Sequence, residues 1–111
     1  MPPERGEMVE LRAFWGSRRA SVYRAHVVSG PAFARILVAG AAHDLGLLAS
    51  LGRSDPHELD KGTARQLAAE VSEIRMSGEL VELDSELVAI AELARWCARA
   101  PAGSWMTIEG L

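Results

Sequence analysis

From Asp84 to Ala100, the residues Leu87, Ile90, Ala91, Ala94, Cys97 and Ala98 recur at the three- and four-residue spacing of one helical face, and Leu93 and Trp96 widen it. A stripe this broad has to be buried against more than one element, so the chain must fold as a layered domain. Asp84 or Ser85 is expected to cap this helix. Pro101 stops it, because proline disfavours helical backbone in the residue before it. A second helix is predicted over about 59–76, with Ala64, Leu67, Ala68, Val71 and Ile74 inward and Arg65, Glu70 and Glu73 outward. Ser77-Gly78 falls where a C-cap belongs.

The first half has a different period. Val9, Leu11, Ala13 and Trp15 alternate with Glu10 and Arg12, the pattern of a half-buried strand over about 8–15, stopped by Gly16-Ser17. Residues 19–28 fit two descriptions. As a strand over about 20–28, Tyr23, Ala25 and Val27 share one face and Arg24 and His26 the other. As a helix, Ser17 caps it and Val22, Ala25 and His26 line one side. Tyrosine, valine and the lack of glycine or proline favour the strand.

Ser29-Gly30-Pro31 reads as a turn into a buried strand over about 32–39, through Phe33, Ile36, Leu37 and Val38, so that these two strands form a hairpin. A short helix is expected between His43 and Leu51, then a loop at Gly52–Pro56, and a brief connector at Glu79–Leu83. A last strand is expected over about 104–109, paired with the first or the third. Strands grouped mostly before helices predict an α+β fold: an antiparallel, or mixed, sheet of three or four strands packed on one face by two or three helices.

A length of 111 residues suits one domain, here 8–111 behind a disordered tail at 1–7. A hydrophobic content of 49% with 24% charged residues excludes a disordered chain. The one cysteine, Cys97, excludes a disulfide scaffold. No run of about 18 apolar residues crosses a membrane. The polar start Met1–Glu7 lacks the apolar stretch of a signal peptide, which predicts a cytoplasmic protein.

The net charge of −3 conceals an asymmetry. Residues 11–42 carry Arg12, Arg18, Arg19, Arg24 and Arg35 and no acid, whereas residues 77–93 carry Glu79, Glu82, Asp84, Glu86 and Glu92 and no base. Abundant alanine and arginine, a single lysine (Lys61) and no asparagine are the mark of GC-rich bacterial coding, which weakens arginine enrichment as a sign of function. Fields of one sign steer partners of the other. The two segments either meet partners of opposite charge or face each other, within the domain or across a dimer.

No catalytic motif emerges. His26, His43 and His57 lack metal-ligand spacing, and the pair His43-Asp44 lacks the further histidines of a metal-phosphohydrolase signature. Cys97 sits on an apolar helix face and reads as a small buried hydrophobe. The glycines make no phosphate loop. Neither a metal nor a cofactor is expected.

Three functional classes stay in view. The first is a non-catalytic protein-interaction module of inhibitor, immunity, antitoxin or phage-antagonist type, contacting a protein partner through Glu79, Glu82, Asp84 and Glu86 with Trp96 or Trp105 as apolar anchor. The second is a small enzyme or ligand-binding domain with His26, His43 and Arg24 in a pocket. The third, and less favoured, is a nucleic-acid binder using the basic patch Arg12, Arg18, Arg19, Arg24 and Arg35, with Trp15 and Tyr23 for stacking. A homodimer through the sheet edge or the last helix is the expected assembly.

Overall fold

Alternation along Met8–Phe14 builds β1, which buries Val9, Leu11 and Ala13 and turns Met8, Glu10 and Arg12 to the opposite face. This computed structural model describes residues 8–15, 23–51 and 57–110. The tail expected at 1–7, the loop at Gly52–Pro56, and Arg18 and Arg19 lie outside them. Tyr23–Ser29 forms β2, antiparallel to β1, with His26 opposite Leu11 and Val28 opposite Val9. The strand description of this stretch therefore holds. Its hairpin partner, however, is β1 and not the segment that follows.

That segment corrects the sequence expectation. Gly30–Ala42 is a helix, α1, where a buried strand over 32–39 was predicted. The Ser29 hydroxyl accepts a hydrogen bond from the Ala32 N–H at 3.2 Å, and Pro31 occupies the first turn, where its missing N–H costs nothing. Phe33, Ile36, Ala39 and Gly40 are buried at helical spacing, while Val38 is 70% exposed, as no residue of a core strand would be. Apolar residues on the outward side hid the period of 3.6.

The helix closes in a Schellman motif. Leu45 N–H reaches back to the Gly40 carbonyl at 2.8 Å and Asp44 N–H to that of Ala41 at 3.1 Å, with Asp44 itself at φ 58°. His43 and Asp44 are thus residues of a helix end, and His43 does not sit beside a strand. Gly46–Ser50 forms α2, near the expected position. Its N-terminus has no side-chain cap of its own. Glu70 supplies one, its carboxylate accepting from Leu48 N–H at 2.9 Å, Leu47 N–H at 3.3 Å and Gln66 Nε2 at 2.9 Å. Glu70 is accordingly buried, at 7% exposure, and not the solvated surface acid its helix position suggested.

His57–Asp60 is a fourth strand, β3, in place of a loop and the start of a helix. Only Leu59 among its residues is buried, so the segment carries almost no strand signal of its own. Asp60 then caps α3, Lys61–Ser77, by accepting from Thr63 N–H at 2.8 Å. Gly78, at φ 74°, ends α3 in the left-handed conformation expected of that position. A 3-10 turn at Val81–Leu83 leads into α4, Asp84–Arg99. Asp84 does not cap α4: Leu83 holds that position, and the Asp84 carboxylate pairs with Arg75.

Trp105–Gly110 forms β4, antiparallel to both β1 and β3, giving the sheet order β2-β1-β4-β3. The domain is α+β, with the helices covering one face of the sheet. The core lies between Leu11, Ala13, Val28, Met106 and Ile108 of the sheet and Ile36, Leu67, Ile74, Leu87 and Ile90 of the helices. Ala64, Ala68, Ala91, Ala94 and Ala98 are buried where α3 and α4 lie together, and small side chains allow that close approach. Among the described residues, no helix is long and apolar enough to cross a membrane.

Candidate functional site

The acidic run and the basic segment meet inside the domain. Arg35 of α1 pairs with Glu82, His43 Nε2 lies 3.4 Å from Glu79, and His26 Nε2 of β2 lies 3.2 Å from Glu86 at the start of α4. Arg75 joins Asp84 at 2.8 Å. Each acid proposed from sequence to meet a partner, Glu79, Glu82, Asp84 and Glu86, thus has a cationic or histidine neighbour in its own chain. Glu82 is held below the ordinary carboxylate range by its own backbone N–H and then by Arg35.

Of the arginines singled out in the sequence, the described ones do not form one patch. Arg12 lies on the uncovered face of the sheet, 2.8 Å from Glu10, while Arg24 opposes Ala13 on the helix-covered side. Trp105 is also on the uncovered face, half-buried and stacked on Phe14 with ring centres 4.8 Å apart. Trp96 of α4 is elsewhere, against Trp15 at the end of β1, with centres 5.4 Å apart and rings tilted by 42°.

Around that tryptophan pair the structure gathers what the sequence scattered. The Arg24 guanidinium sits 4.8 Å over the Trp96 ring, a cation–π arrangement. A hollow of about 590 Å³ is lined by Trp15, Arg24, Glu92, Arg95, Trp96 and Arg99. A second, of about 290 Å³, shares Arg95 and Arg99 with it and is lined further by Arg65, Ala68, Ala69 and Ala98. Arg95 donates to the Ser72 hydroxyl at 2.7 Å, which fixes its direction across α3. Trp15 keeps 40% of its surface exposed. Among the described residues, no carboxylate lies within ion-pair distance of Arg24, Arg65, Arg95 or Arg99.

Arg65, Arg95 and Arg99 were missed by sequence reasoning. Arg95 and Arg99 stand one turn apart beside Trp96, and this i, i+4 pair was the available signal. Their meeting with Trp15, distant in the chain, depends on the β1–α4 packing alone. Comparison with protein families, curated proteins and solved structures returned no match for this chain.

Guanidinium groups stay protonated and donate in a planar fork, a geometry that suits carboxylates or phosphates. The histidines are dispersed: His26 and His43 engage different acids, and His57 lies in β3, half-buried in register with Ile108. Among the described residues no three His, Cys, Asp or Glu side chains converge as a metal site. Cys97 is fully buried on α4, and burial raises its thiol above the usual range.

Proposed function

We propose that this protein is a non-catalytic interaction module of the inhibitor, immunity, antitoxin or phage-antagonist kind, which acts by covering part of a protein partner. One observation carries the reading: charge is sorted. Glu82 and Asp84 pair with arginines and Glu79 and Glu86 lie beside histidines, whereas Arg24, Arg95 and Arg99 line a hollow with a half-exposed tryptophan and Arg65 lines the neighbouring one, none of the four with a carboxylate in pairing distance among the described residues. Concentrated unanswered charge beside an exposed aromatic ring is the chemistry of an interaction hot spot, where tryptophan and arginine dominate. The contact is therefore assigned to the groove and not to the acidic stretch.

Affinity capture from the native host tests this. Charge reversal at the groove, Arg95→Glu with Arg99→Glu, is expected to abolish retention of the partner, and reversal of Glu79 and Glu82 to lysine to preserve it. The opposite pattern would return the contact to the acidic surface. Recovery of nucleic acid alone, weakening steeply with salt, would replace the protein partner with a polyanion.

A further inference from the structure

Resting on that reading, we infer that the groove accepts an extended acidic segment of the partner polypeptide, with a carboxylate between Arg95 and Arg99 and an apolar side chain against Trp15. Three features point to such an occupant. The two hollows, about 590 and 290 Å³, share Arg95 and Arg99 in their linings, and their size suits a few amino-acid residues. Two of the guanidinium groups are already directed, Arg95 by the Ser72 hydroxyl and Arg24 by the Trp96 ring, so little side-chain freedom is lost when a carboxylate arrives. The second hollow has a floor of Ala68, Ala69 and Ala98, small enough for a polypeptide backbone to lie close to the helices.

The rest of the molecule favours a peptide over a nucleic acid. The whole chain has a net charge of −3 although four arginines line the two hollows, so the other residues together carry a net negative charge. Glu92 stands at the groove's own rim. A phosphate backbone carries charge at every step and would meet that carboxylate. A short acidic segment places its charges on the arginines and then ends or turns away.

The test uses the full chain with Trp105→Phe, which retains an aromatic ring against Phe14 and leaves Trp15 and Trp96 as the fluorescent reporters. Three probes are titrated: a synthetic peptide of aspartate and glutamate around one phenylalanine, its asparagine and glutamine counterpart, and oligothymidine. The acidic peptide is expected to give a saturable fluorescence change. Its affinity should fall at least about tenfold with Arg95→Gln/Arg99→Gln, with Trp15→Ala, or when its phenylalanine is replaced. Equal binding of the uncharged peptide, or no binding of the acidic one at millimolar concentration and low salt, overturns the inference. Tighter binding of oligothymidine that competes at the same site overturns it too, while leaving the groove as the binding surface. Failure of the interaction-module reading is distinct: affinity capture from the native host would then retain no protein partner, whatever the peptide titration shows. Far-UV circular dichroism of each variant confirms that the exposed substitutions leave the fold in place.

Discussion

Leu48 lies against the backbone of Gly40, so that a methyl group added there would fall inside the radius of the Leu48 Cβ and within 2.9 Å of its Cδ1. Both α1 and α2 are tied into the core at that point, and neither can withdraw freely. Gly40→Ala is expected to lower stability by about 1–3 kcal/mol, read as the shift of a urea midpoint, even though alanine is the better helix former. Four residues on, Asp44 holds the left-handed position of the Schellman motif at φ 58°, where a Cβ is a cost. Asp44→Gly should raise stability by about 0.5–1 kcal/mol, read from the same urea midpoint, because relief of that strain outweighs the added freedom of the unfolded chain. Glu70 is legible in sequence only as one more acid on an amphipathic helix. What makes it different is that α2 arrives with bare N–H groups, and Glu70→Ala should lose about 1–3 kcal/mol by orphaning them. Cys97, with 0% exposure and a thiol raised by desolvation, should resist alkylation at neutral pH until the protein unfolds. Rapid labelling under native conditions would contradict its place in the core.

Among the elements, α3 shows how a cap couples to pH. The Asp60 carboxylate is held below its ordinary range, first by the Thr63 backbone N–H and then by the Thr63 side chain. A depressed folded pKa means that its stabilisation is complete above the ordinary carboxylate value of about 3.9 and is lost as pH falls through the lower, folded value. Thermal unfolding should therefore show constant Asp60-dependent stability at neutral pH and a decline below about pH 4. In Asp60→Asn, which still caps, that part of the acid decline should disappear. The elements also differ in how openly the sequence declares them. β1, α3 and α4 have one buried and one exposed side, and their periods are plain. In α1 the outward positions Ala34, Val38, Ala41 and Ala42 are as apolar as the inward ones, which flattens the contrast on which a period depends. The decisive local signal was the Ser29 cap with Pro31 in the first turn, a helix start that also resembles a turn.

Across the whole molecule, charge links the two halves of the chain. Arg35–Glu82, His43–Glu79 and His26–Glu86 link α1, its C-cap and β2 to residues 79–82 and the start of α4. Exposed pairs are weak and screened by salt. Neutralising Glu79 and Glu82 together should lower the melting temperature only slightly at low ionic strength, and the difference should vanish in high salt. A large loss that persists in high salt would mean that these acids act through packing. The groove variants belong to the same scale: Arg95→Glu/Arg99→Glu should melt close to the parent protein while losing its partner, because neither guanidinium closes an ion pair among the described residues.

Local pattern alone determined that this chain is an α+β domain, where β1, α3, α4 and β4 lie, the apolar residues that β1, α3 and α4 bury (Trp15 and Glu70 being the exceptions), and that Gly78 and Pro101 end the helices. These properties depend on spacings of two and of three to four residues, and such spacings are present before any tertiary contact forms. Tertiary structure decided the rest. β3 is a strand because β4 offers an unpaired edge to four mostly polar residues, and β2 pairs with β1 because α1 withdraws the segment that the sequence had offered as its partner. The groove is the extreme case. Trp15, Arg24, Arg65 and the Arg95–Arg99 turn come from four elements or their ends, and no spacing along the chain encodes a site that exists only where a sheet edge and two helices converge.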